Sequence, residues 1–119
     1  MSSERVAQRV HDIIDNIEAA VGYCSGMDRA IFESKPMVRD ACERCLQRLT
    51  EAAIKIGERQ FASISPSTQF AVVKGMGNTL RHAYDEIDPA IIFETIKGDL
   101  PQLLDECRAW LVNNAGEEC

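Results

Sequence analysis

Positive charge is in deficit in this chain: 13 lysines and arginines stand against 19 aspartates and glutamates, giving a net charge of −6 and a pI near 4.9. That balance excludes broad, charge-driven binding to nucleic acid or to an anionic membrane, and leaves room only for a local basic patch. No run approaches the ~20 apolar residues that a membrane span needs. The opening residues, MSSERVAQRV, carry charge where a signal peptide carries an apolar run, so a cytoplasmic protein with no membrane partner is expected. No period-2 run of β-branched residues competes with the helical spacing described below, which makes the fold class all-α. Internal repeats, linkers and low-complexity segments are also lacking, and 119 residues amount to one domain, 1–119, with a single core. The five cysteines are an odd count in a chain without an export signal and read as reduced thiols. Cys42 and Cys45 form a CxxC, yet no second pair completes a tetrahedral site and both fall on an apolar helical stripe. The expectation is therefore small buried hydrophobes, no metal and no cofactor.

What is present is helical periodicity. Ser3 is a candidate N-cap with Glu4 in the first turn, followed by Val6, Val10, Ile13, Ile17, Val21 and Cys24 on one face. Gly26 ends this helix, and the connector Met27 to Ser34 holds at most one helical turn, with Ile31 and Phe32 docking on the core. A second long helix starts near Pro36 and buries Val38, Cys42, Cys45, Leu49, Ala52 and Ile56. Arg39, Asp40, Glu43, Arg44, Gln47, Arg48, Glu51 and Lys55 cover the rest of it, first of all as a solvated, ion-paired face. Arg44 and Arg48 lie one turn apart, so a phosphate-binding pair is the second reading of that face. Gly57 and the polar run Ser63 to Thr68 close the helix, and a third long one starts from about Pro66 or Ser67. Three long helices and two shorter ones, packed as a bundle, are the expected architecture.

The third helix leads into GMGNTLRHAYDEIDPAIIFETIKGDLPQL, residues 75–103, which holds the only His–Tyr cluster of the chain. Asn78 and His82 stack one turn apart, and Ala71 and Gly75 extend the same seam backwards as a stripe of small residues that a second helix could approach closely. Asp88 and Pro89 start a short helix, Ala90 to Lys97, that Gly98 ends, and Asp99 with Gln102 offers a capping box for the last helix. His11, isolated among polar residues, reads as solvated surface. His82 beside Asn78 and Tyr84 stands open to two readings, a structural histidine or an acid/base group.

Asn78, His82, Tyr84 and Asp88, the run Glu94-Thr95-Ile96 and then Asp99-Leu100-Pro101 resemble the C-terminal signature of the HepT-like proteins of the HEPN superfamily. The Arg44, Leu46, Glu51, Ala52 pattern is similar to that family's other recurrent segment, and the likeness runs from about Arg5 to Leu111. The resemblance implies an all-helical bundle that pairs as a homodimer with its histidine motifs meeting at or near the dimer cleft. It also implies a toxin of a two-gene toxin–antitoxin module that cuts RNA without metal. The antitoxin in such modules is an MNT-type nucleotidyltransferase, which in some systems attaches AMP to the motif tyrosine. In these terms His82 is the acid/base, Asn78 positions it or the phosphate, and Tyr84 is the site of modification. The family motif is Arg-x-x-x-x-His-x-Tyr, and five residues before His82 stands Gly77 where the motif has arginine. Arg81, Lys74, or Arg44 and Arg48 from either subunit are the candidates to supply the missing charge, Arg81 from a direction about 100° away around the helix. A chain that binds RNA, nucleotide or the nucleotidyltransferase without cutting is the alternative that Gly77 raises.

Overall fold

Ser2, not Ser3, caps the first helix: in a computed structural model, which describes residues 2–83, 85 and 87–114, its side chain accepts from Arg5 N at 3.3 Å. Helix α1 (Ser3–Tyr23) then buries Val6, Val10, Ile13, Ile17 and Ala20 completely. Val21, expected on that stripe, is 37% exposed, and Ala20 takes its place against the core. The connector supplies α2 (Arg29–Glu33), capped by Asp28, whose carboxylate accepts from Ile31 N at 2.8 Å. Phe32 is fully buried as expected, whereas Ile31 faces solvent at 42% exposure. In so short a helix, adjacent residues point about 100° apart and only one of the two reaches the core.

Helix α3 (Pro36–Ile56) is the spine, running along both α1 and α5. It buries Cys42, Cys45, Leu46, Leu49, Thr50, Ala52, Ala53 and Ile56. Burial pushes the Cys42 thiol up to about 12, helped by the neighbouring Cys24 and Cys45, and burial does the same to Cys107. Gly57 then turns the chain at φ 94°, a conformation that favours glycine, and α4 (Glu58–Ile64) begins at the next residue. From sequence, Gly57 and the polar run Ser63 to Thr68 close α3 with no separate helix between them. Phe61 and Ile64, three residues apart, instead give a second apolar face that packs inward.

Helix α5 (Phe70–His82) begins later than Pro66 or Ser67 because the intervening hydroxyls are committed elsewhere. Ser65 and Ser67 each donate to Glu106 Oε1 at 2.6 Å, and Thr68 Oγ1 lies 2.7 Å from Ser65 Oγ. These bonds tie the connector to the last helix and hold it out of helical geometry. After α5, Asp88 caps α6 (Pro89–Glu94), accepting from Ala90 N at 2.9 Å, as its sequence predicts. The expected break at Gly98 and the Asp99 capping box are absent. A π turn, Thr95–Asp99, joins α6 directly to α7 (Leu100–Asn114), and Leu100 N–H reaches back five residues to the Thr95 carbonyl. Pro101 has no N–H to give to an i−4 carbonyl, and the widened turn accommodates that defect without ending the helix. Among the described residues there is no strand and no helix apolar enough to cross a membrane.

Candidate functional site

Helix α5 presents three kinds of surface. Val73, Gly77 and Leu80 face the core, Arg81 lies at the edge against α3, and Ala71, Gly75, Asn78 and His82 face outward. With 100° between successive residues, His82 points almost directly away from Val73. The imidazole is therefore exposed, at the last residue of the helix.

Arg81 turns the other way. Its guanidinium forms an ion pair with Glu51 of α3 and donates to Asn78 Oδ1 at 2.6 Å. Because the Asn78 carbonyl accepts from Arg81, the amide nitrogen with its two donors is left for other partners, on a residue that is exposed one turn before His82. Lys55 also reaches Glu51, at 3.9 Å. The result is a fixed chain, Glu51 to Arg81 to Asn78, that ends one turn before the histidine.

Beyond Arg81 opens a groove of about 610 Å³ between α1, α3 and α5. Arg9, Asp12 and Asn16 line it from α1, and Arg44, Gln47, Arg48 and Glu51 from α3. Among the described residues, four arginines thus face two carboxylates in a chain whose net charge is −6. Asp12 is paired with Arg9 at 3.5 Å and Glu51 with Arg81. Arg44 donates to Gln47 Oε1 at 3.0 Å, and among the described residues neither Arg44 nor Arg48 makes an ion pair. Asp40 and Glu43 border the Arg44 end, where burial first and then Asp40 push the Glu43 carboxyl up.

Of the residues picked out by sequence, the fold brings Arg44, Arg48 and Arg81 to one groove and hydrogen-bonds Asn78 to its rim. It leaves Lys74 exposed outside the groove and His82 on the outer face of α5. Tyr84 lies outside the described residues. Sequence reasoning missed Arg9, Asp12 and Asn16 altogether and took Gln47 and Glu51 for solvated surface. The spacing i, i+3, i+7 does place Arg9, Asp12 and Asn16 on one face of α1, but nothing in one helix tells which second helix it will oppose. As for a metal, the described residues contain no group of three or more His, Cys, Asp and Glu side chains able to hold one.

A family model described as ribonuclease HepT-like matches residues 13–110, most of the chain. The chain belongs to the HepT-like family. Among curated proteins it is 27% identical over 97 residues to the candidate RNase MJ0125 of Methanocaldococcus jannaschii, covering 82% of this chain and 83% of that protein. The candidate RNase MJ1216 of the same organism is 26% identical over 97 residues, 82% of this chain and 79% of that one. A third, the candidate RNase MJ1380, is 26% identical over 106 residues, 89% of this chain and 96% of that one. No solved structure matches.

The position where the HepT-like motif carries arginine has a plain structural environment here. Gly77 is buried against α3, and a Cβ placed on it would meet Thr50 Oγ1 at 2.9 Å, Thr50 Cβ at 3.1 Å and Ile54 Cδ1 at 3.3 Å. The tight seam at this glycine is therefore within the chain, between α5 and α3, and does not belong to the outward stripe of Ala71 and Gly75. A long side chain at 77 would have to displace Thr50, whose hydroxyl donates to Leu46 O at 2.7 Å.

Proposed function

We propose that this HepT-like protein is a metal-independent endoribonuclease, the toxin of a toxin–antitoxin pair whose partner is an MNT-type nucleotidyltransferase. The single observation that carries the reading is the exposed His82 at the end of α5, beside an Asn78 amide whose orientation is fixed through Arg81 and Glu51. An imidazole there takes the proton of a ribose 2′-hydroxyl as its oxygen attacks phosphorus, and a proton passes to the 5′-oxygen as the P–O5′ bond breaks. The Asn78 N–H groups donate to the phosphate oxygens, and the arginine-lined groove offsets the charge that grows on them. No step calls on a metal ion. The copies pair through the outward face of α5, so that the cleft holds two histidines. Tyr84, two residues beyond His82, is the residue on which the nucleotidyltransferase acts, and the protein works in the cytoplasm.

Cleavage in the presence of EDTA, with 2′,3′-cyclic phosphate ends, tests the chemistry. His82→Ala should lower the rate by ~10²- to 10⁴-fold, the usual cost of a positioned acid/base. Purified protein that leaves both structured and unstructured RNA intact sinks this reading. Gly77 favours the second one, a module that binds RNA, nucleotide or the nucleotidyltransferase without cutting, since the motif position carries no cation and Arg81 is already bonded to Glu51 and Asn78.

A further inference from the structure

We infer that the groove between α1, α3 and α5 is the track for the backbone of single-stranded RNA, with Arg44 and Arg48 each taking a phosphate. The inference rests on the reading of RNA as the substrate, and adds where the strand runs and what holds it. Three observations carry it. First, charge is uneven: among the described residues of an acidic chain, four arginines and two carboxylates line one groove, both carboxylates are paired within the chain, and Asp40 and Glu43 border it only at the Arg44 end. Arg44 and Arg48 remain as exposed cations without ion pairs among the described residues, about 6 Å apart along α3.

Second, the groove is lined by Arg81, the residue before the histidine, while His82 itself lies just outside the lining on the outer face of α5. Gly77 faces Thr50 and Ile54, whereas Leu80 and Arg81 lie beside Arg44 and Gln47, so α5 runs antiparallel to α3 and its His82 end lies at the Arg44 end of the groove. A strand whose scissile phosphate sits at His82 passes Arg81 and Arg44 and continues towards Arg48 and Arg9. Third, among the described residues the lining contains arginines and amides, Asn16 and Gln47, but no aromatic ring. Base stacking, the usual means of gripping single strands through the bases, has no platform here, and the contacts go to phosphates. Binding through this groove is accordingly indifferent to sequence and steep in salt.

Fluorescence polarisation of a labelled 20-nucleotide oligouridylate, with the His82→Ala protein in EDTA and salt varied from low to physiological, measures the track apart from cutting. Arg44→Ala and Arg48→Ala should each weaken binding and each flatten the plot of log K against log salt by about 0.7, the slope per phosphate contact on a single strand. Both side chains are exposed, so unchanged melting temperatures serve as the control for folding. An oligoadenylate of equal length should bind within a few-fold of the oligouridylate. If the parent protein does not bind either oligomer, or if the double variant binds with the parent's affinity and slope, the inference is overturned. It is overturned as well if the double variant keeps RNA but loses an acidic protein partner, which assigns the groove to that partner. Binding without cleavage by the wild-type protein defeats the catalytic reading and leaves the track standing. Cleavage that survives an unaffected Arg44/Arg48 double variant does the reverse.

Discussion

Gly77 shows what a single hydrogen in place of a side chain allows. Alanine at this helical position would gain about 1 kcal/mol from backbone propensity. Against that, its Cβ would lie 2.9 Å from Thr50 Oγ1, a hydroxyl fixed by its bond to Leu46 O on a β-branched side chain with little rotamer freedom. Overpacking of this kind costs about 1–3 kcal/mol, so Gly77→Ala is expected to be neutral to about 2 kcal/mol destabilising and Gly77→Arg clearly worse. Thr50→Ala, by removing Oγ1, should relieve part of that cost, and a double-mutant cycle on thermal melts checks the coupling. A Gly77→Arg protein that melts with the wild type and cuts RNA faster contradicts this. The sequence alone suggests Gly77→Arg as a restoration of the family motif. The fold turns it into a packing defect, because the motif position faces α3 rather than a cleft.

At the scale of elements, periodicity made α1, α3 and α6 legible, since each has a cap or an N1 proline ahead of an apolar stripe. What the sequence hid was tertiary in origin. The start of α5 is set by Glu106, 41 residues downstream of Ser65, and no local signal at Pro66 or Ser67 announces that bond. The π turn hides for a related reason: Gly98 and Pro101 are breakers in isolation, but Ile96, Leu100 and Leu103 are buried on both sides of them and hold one continuous helix against the core. The Glu106 tether makes a prediction about pH. Burial pushes its carboxyl up, but the Ser65 and Ser67 hydroxyls donate to the charged form and the balance lies below the usual carboxylate range. A depressed carboxyl contributes stability that is present above the ordinary value of about 4.3 and is lost as pH falls through the folded-state value. Melting temperatures from pH 7 down to pH 2 should therefore fall less steeply in Glu106→Gln than in the wild type. Parallel curves would remove Glu106 from the acid-sensitive part of the fold.

For the whole molecule, the all-α class and the family are legible in the sequence, but the candidate site is only half visible there. Asn78 and His82 share a helix, so their spacing alone puts them on one face. The groove needs α1, α3 and α5 side by side, and sequence spacing on one helix carries no information about its neighbours. The same geometry supports the proposed pairing of two copies. The outward stripe of α5 contains Ala71, Gly75, Asn78 and His82, flanked by Val72 at 61% exposure, and a Cβ on Gly75 would meet nothing within 4 Å among the described residues. Small residues would let a second helix come close, and a symmetric partner would cover the exposed valine on both sides at once. The two glycines of this helix therefore make opposite predictions. Gly75→Gln should leave the monomer fold intact or stabilise it by about 1 kcal/mol, because glutamine is the better helix former and has open space around it. Its long side chain should nevertheless hold two copies apart. Light scattering at micromolar concentration should give the mass of two protomers for the wild type and one for Gly75→Gln, with circular dichroism unchanged. A wild type of monomer mass would end the pairing argument, and with it the requirement that two His82 side chains share one cleft.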